Sequence, residues 1–200
     1  MNTESVLVML ATFALAQGQS RLKEPAQFRD LESPDVATRV ACLDTSVKER
    51  AGRVAALLRI AKLPYESKKT KSPKELAIAL LGEYRAVEAV DFLVENVSFR
   101  PAVALADAFK ELSPFDGYPS AQALVKIGTP CMEGIFRRMS KPCDKTEIRL
   151  FAYLVRTLDG HELGLYRLDA AAKRAEAAND PVARTNFRNL IERYKRITGL

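Results

Sequence analysis

The residues best equipped for chemistry are three cysteines, Cys42, Cys131 and Cys143, and a single histidine, His161. A cysteine can serve as nucleophile, metal ligand or half of a disulfide, and each role needs a partner at a defined distance. Three thiols cannot all pair within one chain. The span 131–140 has helical spacing, and a rise of about 1.5 Å per residue puts Cys131 and Cys143 on the order of 15 Å apart. A disulfide needs Cα atoms within about 7 Å, so this pair is not bridged. A bridge from Cys42 to either stays open, with small buried thiols as the simpler account. One imidazole excludes a His-rich metal site and any mechanism that needs two histidines. His161 follows Gly160 at a helix start, where a surface or capping role is ordinary. Asp159, Glu162 and Asp169 lie nearby, but carboxylates on helical surfaces are common. No P-loop, G-x-G-x-x-G, G-x-S-x-G, H-E-x-x-H or paired C-x-x-C motif occurs. No catalytic residue, metal ligand or cofactor-binding residue is assigned, and no cofactor is expected.

Binding is the better-supported class, with an enzyme as the third choice. The net charge of +6 permits an acidic protein, an anionic lipid or a nucleic acid as partner. Candidate polyanion contacts are Lys68, Lys69 and Lys71, next to Lys74; Arg137 and Arg138, with Lys141; and Arg184 and Arg188, with Lys195 and Arg196. Acidic residues are interspersed throughout, which suits a mixed solvated surface. A basic groove for nucleic acid or another polyanion is therefore the alternative to a protein-binding surface. Three aromatics lie in or near the turn-rich stretch Ser113–Pro119: Phe109 before it, and Phe115 and Tyr118 within it. They are candidate protein contacts, with gap-filling between repeats as the competing explanation.

The elements that position these residues are all helical. Strand formers nowhere alternate with period two, and Ala, Leu, Glu, Lys and Arg dominate. Ser33-Pro34 opens a short helix to about Leu43, and Ser46-x-x-Glu49 reads as a capping box that starts a second, to about Lys62. Ser72-Pro73-x-Glu75 starts a third, with Leu76, Ala79, Leu80 and Tyr84 on its inner face and a turn at Gly82–Ala86. Val87, Val90, Leu93, Val94 and Val97 then form an apolar stripe. Further helices start at Pro119, Thr129-Pro130, Asp144, His161 and Asp180-Pro181, with Gly160 ending the one before His161. A helix over 101–112 fits the spacing of Val103, Ala106, Phe109 and Leu112. Pro recurs at the first helical position, where its missing N–H costs nothing. Short helices, each newly started and joined by tight turns, predict an all-α stack of hairpins.

Two hairpins echo each other. Leu81 aligns with Leu124 and Glu88 with Glu133, a spacing of about 43–45 residues, inside the period of about 40–47 known for two-helix arrays. The stretches ALLGEYRAVEAVDFLVENV (79–97) and YPSAQALVKIGTPCMEGIFRRM (118–139) resemble the HEAT-repeat, or armadillo-type, family. The resemblance implies a short right-handed solenoid of stacked antiparallel hairpins, used mostly for protein binding and scaffolding. One hairpin cannot bury both flanks of its apolar stripes, so neighbours must stack.

At the N-terminus, Val6–Ala16 is an uncharged apolar run ending in Ala-Leu-Ala. It is too short to span a bilayer, which takes about 20 residues of helix. It fits a signal peptide cleaved between Ala16 and Gln17. Met1–Ser5 lacks the usual Lys or Arg and carries Glu4. The other account is a buried N-terminal helix of a cytoplasmic protein. The expected organisation is a signal peptide at 1–16, a linker at 17–33 and one helical-repeat domain at 34–200, with an irregular insertion at 98–118. The expected protein is exported, periplasmic or secreted, has no transmembrane segment in its mature chain, and binds an unidentified protein.

Overall fold

The computed structural model describes residues 36–65, 72–101 and 113–199, with side chains from residue 49 onward. Seven α-helices and no strand occur among the described residues, so the protein is all-α. The helices are α1 (Val36–Ala61), α2 (Pro73–Glu83), α3 (Val90–Glu95), α4 (Pro119–Ile127), α5 (Met132–Arg138), α6 (Lys145–Ala177) and α7 (Pro181–Thr198). One-turn 3-10 segments at Val87–Ala89 and Thr129–Cys131 lead into α3 and α5. The chain divides into two compact units, Met1–Ala51 and Gly52–Leu200. The first contributes the start of α1, and the second holds the core described below. The signal-peptide and linker segments lie outside the described residues, as does most of the helix expected at 101–112.

Local signals place the helix starts. Ser72 caps α2 with the expected box: its Oγ accepts from Glu75 N at 3.3 Å, and Glu75 Oε1 accepts from Ser72 N at 3.1 Å. Asp144 and Glu147 repeat the arrangement at α6. At α7, Asp180 accepts from Ala183 N. That bond, the largest influence, holds the Asp180 carboxyl below its ordinary range. Each cap satisfies N–H groups that the first helical turn leaves open.

The expected pair of helices over 34–62 is one continuous α1. No Pro or Gly interrupts residues 36–51, and the Ser46–Glu49 pattern does not start a helix. The face of α2 also differs from expectation. Ala77, Ile78, Leu81 and Gly82 are buried, whereas Ala79 is exposed and Leu76, Leu80 and Tyr84 are half-buried. The stretch Leu76–Gly82 is apolar throughout, so no polar residue marks its outer side. Val87 is 50% exposed, while the rest of its stripe is buried.

Packing pairs equivalent elements: α2 lies against α4, α3 against α5, and α4 in turn against α6. Two contacts bring backbones together. A Cβ at Gly82 would stand 2.8 Å from Ala123 Cα, and one at Gly134 would overlap Val90 Cγ1. Gly82 thus lies inside α2 as a contact point, not in the turn. At the rim, Glu83 pairs with Lys126, Asp91 with Arg137 at 2.6 Å and Glu95 with Lys141 at 2.5 Å, across separations of 43, 46 and 46 residues. All six side chains are exposed, so each pair is worth at most about 1 kcal/mol.

Among the described residues, α6 and α7 form the most extensive helix pair. Leu150, Phe151, Ala152, Leu154 and Val155 are all fully buried, because the first half of α6 is covered on more than one side. Gly160 breaks α6, with φ 71° and ψ −167°. Tyr194 of α7 supports the break: its hydroxyl donates towards the carbonyls of Gly160 and of His161, the latter at 2.9 Å. Asn186 is buried and donates to the carbonyls of Met139 and Lys141, both at 2.8 Å. It thereby ties α7 to the end of α5.

The close contacts predict opposite signs for two alanine substitutions. Gly82→Ala should destabilise by about 1–3 kcal/mol, because the helices must separate to admit the methyl. Gly52→Ala, in helical backbone with no neighbour within 4 Å of the added carbon, should stabilise by about 0.5–1 kcal/mol. Urea unfolding of the full chain measures both.

Candidate functional site

The structure scatters the residues singled out by sequence. Phe115 and Tyr118 are 7% and 8% exposed. They fill space in the core and do not form an exposed aromatic surface, as the gap-filling account requires. Phe115 meets Tyr153 edge-on, with ring centroids 6.5 Å apart. Phe109 lies outside the described residues, as do Lys68, Lys69, Lys71, Ala16 and Gln17. Arg137 belongs to the rim pairs. Arg138 is largely buried, with Nη2 2.7 Å from Glu147 Oε1. Arg184 and Arg188 line a groove of about 850 Å³ along α6 and α7, where Lys173 and Lys195 alternate with Asp169, Glu176 and Glu192. The described basic residues therefore do not form one continuous positive face.

A different set of cations does converge. Lys74 Nζ lies 5.0 Å from the centre of the Phe99 ring, and Tyr65 packs edge-on against the same ring at 5.3 Å. The next residue, Arg100, is exposed and stands 5.5 Å from the Tyr118 ring. Arg149 approaches that ring at 5.9 Å and donates from Nη2 to the Tyr118 hydroxyl at 3.1 Å. The result is a seam of three cations, each held over an aromatic face from α2, the segment after α3, or α6. Cation–π attraction and burial of the aliphatic stems fix such side chains without neutralising them. Lys74 and Arg149 have no carboxylate partner among the described residues, unlike the rim cations. Tyr118, which precedes Pro119 at the start of α4, takes part as the platform between two guanidinium groups. Neither Arg100 nor Arg149 stood out in the sequence, because nothing local links them: Arg149 lies 31 residues from the tyrosine whose hydroxyl it reaches.

The groups with nucleophilic or acid–base potential have structural surroundings. Cys131 and Cys143 are free thiols. Burial pushes Cys131 up to about 12, with the Asp159 charge adding to the rise against a bond from its own backbone. Burial pushes Cys143 up to about 11, although Arg138 opposes it. His161 is exposed, and its carbonyl holds Tyr194. The Asp159 carboxylate is nearly inaccessible, with Arg167 Nη1 at 3.3 Å from Oδ2. That approach lacks the alignment of a hydrogen bond. Burial, reinforced by Asp159, raises the Tyr194 hydroxyl above its ordinary range. Among the described residues, no group of three His, Cys, Asp or Glu side chains could hold a metal ion. None of the described helices is long and apolar enough to cross a membrane.

No protein-family model, curated protein or solved structure matches this chain.

The thiol environments predict low reactivity. At pH 8 the thiolate fraction is about one in a thousand for Cys143 and about one in ten thousand for Cys131. In a Cys42→Ser variant, a thiol-exchange reagent such as DTNB at pH 8 should label Cys143 slowly and Cys131 only after unfolding in guanidinium. Rapid stoichiometric labelling of native Cys131 would contradict the assignment.

Proposed function

We propose that this chain is a non-catalytic protein-interaction module. It is built as a short right-handed solenoid of HEAT-like helical hairpins and exported by means of Val6–Ala16. The observation that carries the proposal is the recurrence of cross-hairpin contacts at one spacing. Three rim ion pairs link positions 43–46 residues apart. The helices they connect pair in the order α2 with α4 and α3 with α5. Stacked hairpins of this kind use regularly spaced contacts to fix neighbour on neighbour, and leave their turns and edges for a partner.

The use of the polar groups supports the same conclusion. The caps, Asn186, Tyr194 and the Arg138–Glu147 pair hold helix ends and helix pairs. The two described thiols are poor nucleophiles at neutral pH. Lys74 and Arg149, which have no carboxylate partner among the described residues, lie over Phe99 and Tyr118, two aromatics of the irregular region expected at 98–118. A basic groove for a polyanion has less support, since the basic residues along α6 and α7 alternate with acids.

Site-specific photocrosslinking tests this. Pro114 is exposed beside Phe115, whereas Arg174 is exposed on the second half of α6. A benzoyl-phenylalanine at 114 in the full chain, expressed in its source cells, should yield a discrete protein adduct that the same probe at 174 does not. Equal or absent protein adducts at both positions would overturn the proposal.

A further inference from the structure

We infer that the outer face of α6 beyond Gly160 is a self-association surface, on which a second copy of this chain packs its own α6 in parallel. Three observations support it, and it stands apart from the protein-binding function proposed above.

The first is an exposed apolar stripe. Among the described residues, four large hydrophobic side chains are exposed: Leu63, Val87, Leu163 and Tyr166. Leu163 and Tyr166 are 46% and 71% exposed and lie three residues apart on one helix, which makes them surface neighbours. Ala170, half-buried, and Ala177, exposed, continue the stripe. The opposite face, with Gly164, Leu168, Ala171 and Ala175, is buried, and Gly164 meets Tyr194 of α7. Read as heptads, Leu163, Ala170 and Ala177 hold the a positions, and Tyr166 and Lys173 the d positions. The helix is already supported by α7, so association carries no cost of helix nucleation.

The second is the order of charges along the stripe. On one edge, the g positions are Glu162, Asp169 and Glu176; on the other, the e positions are Arg167 and Arg174. In a parallel pair each g position faces the following e position of the other chain. Glu162 then stands opposite Arg167 and Asp169 opposite Arg174, twice over across the two-fold axis. In an antiparallel pair g meets g and e meets e, and each such contact repels. The surface is thus complementary to itself in one orientation and repels itself in the other.

The third is that these side chains are available. Glu162, Asp169, Lys173 and Glu176 have no salt-bridge partner among the described residues. Arg174 donates only from Nε, to the carbonyl of Ala170 at 3.4 Å. Arg167 has Nη1 at 3.3 Å from Asp159 Oδ2, and its side chain is still 36% exposed. Lys173 is the exception within the stripe. Its stem can cover apolar surface while its amine reaches Asp169 or Glu176, its neighbours on the helix, at a cost in affinity. Residues 161–177 rise about 25 Å. A contact of that length falls short of the roughly 800 Å² per partner of a standard interface, so the dimer is weak and reversible.

Sedimentation equilibrium on the full chain tests the inference. Reversible dimers should form as the concentration reaches about 0.1–1 mM. Tyr166→Glu should move the midpoint at least about tenfold higher, as should Asp169→Arg and Arg174→Glu taken singly. An equimolar mixture of Asp169→Arg and Arg174→Glu chains should associate again, because Arg then faces Glu and Asp faces Arg. In a Cys42→Ser background, Ala177→Cys should oxidise to a disulfide dimer, since like a positions meet in a parallel pair; an antiparallel pair centred on Ala170 would bring residue 177 to Leu163. Circular dichroism checks that each variant is folded. A chain that stays monomeric over this range would overturn the inference, as would a mixture that associates no better than its components. Dimerisation unaffected by Tyr166→Glu, or an Ala177→Cys chain that does not link to itself, would also overturn it. Each of these results leaves the protein-binding function standing. A self-adduct from a photocrosslinking probe at 174 has twice the chain mass, which separates it from the partner adduct at 114.

Discussion

The described fold depends on the closeness of two neighbouring hairpins. At Gly82 and Ala123, and again at Gly134 and Val90, there is no room for one more methyl group. These contacts sit on both helices of each hairpin, so they fix separation and rotation together. The rim pairs Glu83–Lys126, Asp91–Arg137 and Glu95–Lys141 then fall into place as a consequence. Their exposure makes them weak individually, and their role is in register more than in stability. The stability comes from apolar burial. Ile78, Leu81, Leu93, Leu124 and Ile135 are fully enclosed at this junction.

From that junction the packing continues through α4 to α6 and from α6 to α7. Two polar side chains in the interior serve helix ends, whereas Ser120 Oγ and Asp159 Oδ2 are buried without a hydrogen-bond partner. Asn186 answers the carbonyls after α5, and Tyr194 meets the carbonyls at the Gly160 break. At the surface, Lys74 and Arg149 differ from the rim cations, because each lies over an aromatic ring and has no carboxylate partner among the described residues.

Much of this was legible in the sequence, for local reasons. A capping box or a proline at the first helical position involves residues within one turn, so Ser72, Asp144 and Asp180 could be identified as caps from their neighbours alone. Gly160 likewise marked its own break. The inner face of α2 was not legible, since Leu76–Gly82 offers apolar residues on every side. Gly82 suggested a turn because the alternative, contact with Ala123, depends on a residue in another hairpin. For Phe115 and Tyr118 the sequence left an exposed contact surface and gap-filling between repeats as alternatives, and the structure buries both rings. The seam was hidden for a related reason. Lys74 stood out as part of a basic run, but Arg100 and Arg149 acquire meaning only when folding brings Tyr118 between them.

The central claim is that backbone-close contact between hairpins sets the register of the stack. A double-mutant cycle at Gly134 and Val90 tests it most directly. Gly134→Ala should cost about 1–3 kcal/mol in the otherwise unchanged protein. In a Val90→Ala background, where the obstructing Cγ1 is gone, the same substitution should cost less than about 0.5 kcal/mol or become stabilising, as the higher helix propensity of Ala dictates. An equal cost of Gly134→Ala in both backgrounds would show that the two hairpins do not meet at this point and would contradict the account.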